Sequence, residues 1–74
     1  MSAITFKPNW KTVWYQDYIY QNETLIGEIH TAIDEGGYNL RKLVPCGEVE
    51  IMKTIAHFNT VCDAKEFVDK AGGL

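Results

Sequence analysis

Nowhere in this sequence do roughly 18 apolar residues follow one another, the length a helix needs to cross a bilayer. The first residues, Met-Ser-Ala-Ile-Thr-Phe-Lys-Pro, also lack the basic start and apolar run of an export signal. The expectation is a cytoplasmic chain with no membrane contact. Cysteine is scarce: Cys46 and Cys62 are the only two, they form no CxxC pair, and in a reducing compartment they are expected as free, partly buried thiols. Basic clusters are rarer still. Arg41-Lys42 is the only adjacent pair among seven Lys and Arg, set against ten Asp and Glu for a net charge of −3. The basic footprint that nucleic acid demands is therefore missing, and direct nucleic-acid binding is not expected. The acids are dispersed too, with Asp34-Glu35 the longest run, so no linear stretch imitates a phosphate backbone.

The residues that carry chemistry are equally thin. His30, His57, Cys46 and Cys62 are the whole supply of imidazole and thiolate ligands, and none is spaced as in a zinc module. Gly36-Gly37 precedes an extended segment and not a helix, so it is no phosphate cradle. Glu48 and Glu50 share a side if their segment is extended, but two acids at a strand start are ordinarily solvated, and a sheet with one helix offers little cleft for paired-carboxylate chemistry. No enzyme activity, metal or cofactor is expected.

What is present is a foldable chain. Its 74 residues, 46% hydrophobic and 23% charged, fit one small globular domain spanning 1–74. A domain of this size has a thin core, which makes a partner or a second copy more valuable than usual.

Trp10 to Gln21 (WKTVWYQDYIYQ) is crowded with aromatic and β-branched residues and predicts one long strand. After the polar break Asn22-Glu23-Thr24, Leu25 to Ile33 reads as a second strand, with Leu25, Ile29 and Ile33 on one face and Glu28 and His30 on the other. Asp34-Glu35-Gly36-Gly37 supplies a tight turn, and Tyr38 to Val44 alternates again until Pro45 should end the strand. A fourth strand over Lys53 to Phe58 is favoured over a helix. Thr60 to Asp63 forms a capping box, followed by a stripe of Val61, Ala64, Phe67, Val68 and Ala71, with Lys65, Glu66, Asp69 and Lys70 on the wet side and Gly72-Gly73 as the stop. The fold class is α+β: a three- or four-stranded antiparallel meander with one C-terminal helix packed on one face.

Six of the nine aromatics lie in the first twenty residues. On a continuous strand Trp10, Trp14, Tyr18 and Tyr20 would point one way and Val13, Tyr15 and Ile19 the other. One short helix cannot cover both sets. Trp10, Trp14, Tyr18 and Tyr20 are therefore the candidate partner-binding residues, because Trp and Tyr dominate protein interface hot spots. Two alternatives use the same strand: a stacking platform for nucleic-acid bases, and a structural homodimer with paired edges.

The run Phe58-Asn59-Thr60, Asp63-Ala64 and Phe67-Val68, behind a Gly36-Gly37-Tyr38 turn, resembles the ending of compact β-β-β-α proteins such as the amino-terminal domain of HicB-type antitoxins and small bacteriophage accessory proteins. The likeness covers roughly the last half. It departs from the antitoxins in showing no DNA-binding segment after the helix and in its aromatic first strand. The resemblance implies a phage-type setting, in which small proteins act as stoichiometric inhibitors of host defence complexes, including nucleic-acid-binding ones, as anti-CRISPR or anti-restriction proteins.

Overall fold

The computed structural model describes residues 3–74. Five strands, β1 (Ile4–Pro8), β2 (Gln16–Gln21), β3 (Thr24–Thr31), β4 (Tyr38–Cys46) and β5 (Val49–Phe58), form one antiparallel sheet in sequence order, and helix α1 (Val61–Ala71) follows. The predicted α+β meander is present, with one strand more than expected. No helix among the described residues is long and apolar enough to cross a membrane.

Alternation decides which side chains meet the helix. Ile19 on β2, Ile29 on β3 and Leu40 on β4 are fully buried against Ala64 and Val68 of α1, and Ile4, Phe6, Tyr38, Ala56 and Phe58 pack around them. Thr60 caps the helix by accepting from the Asp63 N–H at 3.1 Å. At the other end Gly72 takes φ 73° while the Gly72 and Gly73 N–H groups both donate to Val68 O, a left-handed cap that only glycine adopts without strain. The buried stripe is narrower than predicted: Ala64 and Val68 are buried, whereas Phe67 and Ala71 are exposed. Lys65, expected on the wet side, leans onto the sheet and pairs with Asp17.

Four strand limits differ from the sequence expectation. β3 stops at Thr31, so Ile33, expected on its apolar face, falls in the following turn, and the extra residue Ile26 opposite Ile19/Tyr20 turns Leu25 onto the face away from Ile29. The long strand over Trp10–Gln21 is broken, because Pro8-Asn9 ends β1 and residues 9–15 form a loop. Pro45 does not end β4. It lies beyond Lys42, the last β4 residue paired with β3, so only β5 flanks it, and proline is tolerated where one neighbour is missing. β5 begins at Val49 and not at Lys53, since Gly47-Glu48 forms a tight hairpin that carries pairing back along β4. The β2–β3 turn is the two-residue type, with Asn22 and Glu23 both at positive φ, and Asn22 ties it to β1 through Asn22 N–H to Ala3 O at 3.0 Å.

The antiparallel order gathers loop 9–15, turn 32–37 and the start of α1 at one end of the sheet. The 22–23 and 47–48 turns lie at the other.

Candidate functional site

Loop 9–15 begins where Pro8 closes β1 and is shaped by its own polar side chains. Asn9 Oδ1 accepts from the Lys11 N–H at 3.1 Å, and Thr12 Oγ1 accepts from the Trp14 N–H at 3.3 Å. These side-chain turns hold the backbone without a ladder. Between them the apolar residues face outward: Trp10 is 86% exposed, Val13 92% and Trp14 45%. A groove of about 190 Å³ runs along the loop, lined by Pro8, Trp10, Val13 and Trp14 with Asn9 and Gln16 at its floor.

The loop is tied down on both faces of the sheet. On the helix face the Tyr15 hydroxyl donates to Asp17 Oδ2, and Lys65 Nζ lies 3.0 Å from the same oxygen. Asp17 is almost wholly buried, and Lys65 reaches it across the Phe6 ring, with Nζ 5.2 Å from the ring centroid. Tyr15 also packs edge-on against Tyr38, centroids 5.6 Å apart, and its carbonyl accepts from the Thr31 N–H at 3.0 Å. On the opposite face Asn9 Nδ2 donates to Gln16 Oε1 at 2.7 Å, Gln16 Nε2 to Glu28 Oε2 at 2.5 Å, and Arg41 Nη1 to Glu28 Oε1 at 3.3 Å. Glu28 is only 4% exposed although no helix covers that face, because neighbouring side chains close over it. Arg41 Nε is buried with no hydrogen-bond partner among the described residues.

Burial, then the hydrogen bond to Asp17 and the nearby Asp17 charge, push the Tyr15 phenol well above the ordinary tyrosine range. A raised pKa means that the fold prefers the protonated phenol. The associated stability is present below about pH 10, where unfolded tyrosine is also protonated, and is lost as pH rises beyond it. The stability difference between wild type and Tyr15→Phe is expected to shrink as denaturation is repeated from neutral pH to above about pH 10. Because lysines titrate in both proteins, the difference isolates the phenol, and a constant difference would mean that Tyr15 is not held by Asp17.

The four candidate residues therefore do not share one strand face. Trp10 and Trp14 sit on the loop. Tyr18 and Tyr20 point to the open face of β2, both half-buried, with Lys7 Nζ 4.8 Å above the Tyr20 ring. Val13 was placed opposite the tryptophans by strand alternation, yet the loop exposes it more than either of them. Asn9, Tyr15, Asp17, Gln16 and Lys65, which position the loop, were not singled out by sequence. The only local hint was Pro8-Asn9, a pair that favours a turn.

A second concavity of about 220 Å³ lies beside turn 32–37, lined by His30, Asn39, Arg41, Asp34 and Glu35. His57 Nδ1 sits 2.9 Å from Asn39 Oδ1 and 3.9 Å from Glu35 Oε2, and the His30 Nδ1–H donates to Thr31 O at 2.8 Å. Arg41 is engaged by Glu28 and Glu35 lies near His57, and no group of three metal-ligating side chains occurs among the described residues. Cys46 and Cys62 are free and exposed, where partial burial was expected. Against protein-family models, curated proteins and solved structures, the chain matches none.

Proposed function

We propose that this protein is a binding module, not an enzyme, and that it engages a protein partner through loop 9–15, with Trp10, Val13 and Trp14 as the anchor residues. The observation that carries this reading is the pairing of exposure with rigidity. The two most exposed large apolar side chains among the described residues, Val13 and Trp10, stand with Trp14 on a segment fixed by polar networks on both sheet faces. A small domain gains little stability from buried charges, so the networks are better accounted for by what they position. A loop already held in its binding conformation loses less entropy on association. Tyr18 and Tyr20 on the adjoining open face add a smaller share of the contact.

A protein partner is favoured over nucleic acid because Lys11 is the one basic residue within loop 9–15 and Lys7 on β1 is engaged over Tyr20, too little charge for a phosphate-tracking groove. The narrower reading, that the partner is a host defence complex inhibited stoichiometrically by a phage-type protein, is supported by the sequence resemblance alone.

Affinity capture with the full chain, followed by titration against the purified captured protein, tests the proposal. Two hot-spot tryptophans worth about 2 kcal/mol each predict roughly a thousandfold weaker binding for Trp10→Ala/Trp14→Ala. The circular dichroism of that variant should match wild type, since neither side chain belongs to the core. Tyr18→Ala should weaken binding less. Undiminished affinity in the double variant would overturn the proposal, as would loss of the fold.

A further inference from the structure

α1 covers only part of the sheet face on which it lies. It starts just after β5 and slants across the strands, so that the chain behind it reaches β2 and β3: Gln21 Nε2 donates to Gly72 O at 3.0 Å, and Leu74 Cδ1 lies over Gly27. The halves of β4 and β5 next to their shared hairpin are left without a cover on that side. Leu40 faces α1, and alternation carries Lys42 and Val44 to the same side, opposite Lys53 and Ile51 of β5. Ile51 is 46% exposed, as is Phe67 on the flank of α1 nearest β5, where its ring meets Phe58 at 5.5 Å. Ala71, one turn further along that flank, is exposed although it belongs to the apolar stripe. The same surface carries an unmatched charge. Lys42 and Lys53 are cross-strand partners, an arrangement of like charges that costs stability, and neither makes an ion pair among the described residues. Glu50, the acid within this stretch of β5, alternates to the opposite face.

We propose that this face docks an acidic amphipathic helix of a protein partner, laid beside α1 on the sheet, with apolar side chains over Val44, Ile51 and Phe67 and a carboxylate between Lys42 and Lys53. Charge complementarity names the occupant. The chain carries a net charge of −3, yet here it sets two ammonium groups side by side within an apolar surface, and one carboxylate between them removes the repulsion and pairs with both. A helix suits the place because the exposed surface is a sheet face. Strands join a sheet along its edge through backbone hydrogen bonds, whereas helices build the second layer over a face. Five strands about 4.8 Å apart span roughly 20 Å, room for two helices packed about 8 to 10 Å apart, and the described chain supplies one. The face lies toward the end of the sheet away from loop 9–15, so it is a second contact surface and not an extension of the loop.

Chemical-shift titration of the isotope-labelled full chain tests the face against three probes: a peptide helix with a leucine face and glutamate elsewhere, the same helix with lysine for glutamate, and phosphatidylserine vesicles. The glutamate helix is expected to bind, with shifts gathered on residues 42–53 and 67–71 and an affinity that falls as salt rises. Lys42→Glu/Lys53→Glu should bind it at least about tenfold more weakly and should bind the lysine helix instead, at the same residues, which also shows that the variant folds. Trp10→Ala/Trp14→Ala should bind the glutamate helix like wild type, so failure of this face and failure of the loop are separable. No binding of the glutamate helix, equal binding of the lysine helix by wild type, an unchanged affinity after the charge reversal, or a response to the vesicles alone would each overturn the proposal.

Discussion

Lys65→Met is expected to destabilise the protein by about 2 to 4 kcal/mol at neutral pH, a large part of what a domain this small has in hand. The reason is what the substitution leaves behind. The Asp17 side chain is 2% exposed, and Lys65 Nζ at 3.0 Å is its only cationic partner among the described residues. Methionine keeps the aliphatic stem over Phe6 and removes only the charge, so the buried carboxylate retains the Tyr15 hydroxyl and little else. The expected loss sits below the range for ion pairs buried on both sides because the Lys65 side chain is 37% exposed and is desolvated only in part.

A double-mutant cycle makes the assignment specific. Asp17→Asn/Lys65→Met exchanges the orphaned charge for an amide that still accepts from Tyr15, and it should recover most of the stability lost in Lys65→Met. Urea denaturation measures both. If the double variant is no more stable than the single one, the loss came from packing of the lysine stem and the ion pair is incidental. Amide hydrogen exchange gives the functional counterpart. Residues 12–15 should exchange faster in Lys65→Met than in a variant equally destabilised in the core, because Tyr15 would have lost the fixed acceptor that anchors the loop.

The parts of this fold that were legible in the sequence are those determined within a few residues. Thr60, Asp63 and Gly72 mark the helix because a cap is a local hydrogen bond. Gly36 and Gly37 mark a turn because both take positive φ. Residues whose roles depend on distant neighbours were misread. Lys65 flanks the apolar stripe beside Val61 and Val68 on a helical wheel, where a lysine reads as solvated, and nothing within α1 announces that β2 brings Asp17 to it. Glu28 alternates onto the face without a helix and so looks solvated, yet Gln16 and Arg41 from two flanking strands bury it. The aromatic run misled in a different way. Trp, Val and Tyr have high strand propensity, but propensity reflects packing on a pleated surface, and Trp10 to Trp14 have no such surface beneath them once Pro8-Asn9 turns the chain out. The site was legible in composition, as too many large aromatics for one cover, but not in geometry.

The second large effect is expected at a residue with no side chain. Gly27→Ala should lower stability by roughly 2 to 3 kcal/mol, at the upper end of what overpacking by one methyl costs, and lower the melting temperature by roughly 10 to 20 °C. Gly27 lies within β3, opposite Lys42 on one side and Ile19 on the other. A Cβ there would fall 2.2 Å from the Arg41 carbonyl oxygen and 2.4 Å from Leu74 Cδ1. The two clashes differ in kind. Leu74 is a flexible side chain that can swing aside, but the Arg41 carbonyl belongs to the backbone of β4, and moving it disturbs the pairing that holds Leu40 in the core and Arg41 beside Glu28. Gly27→Ala/Leu74→Ala should therefore recover only a small part of the loss. Full recovery in a thermal melt would show that the glycine serves merely to admit Leu74, whereas persistence of the loss means that it sets the approach of β3 to β4, and through that register the position of the Glu28 network under loop 9–15.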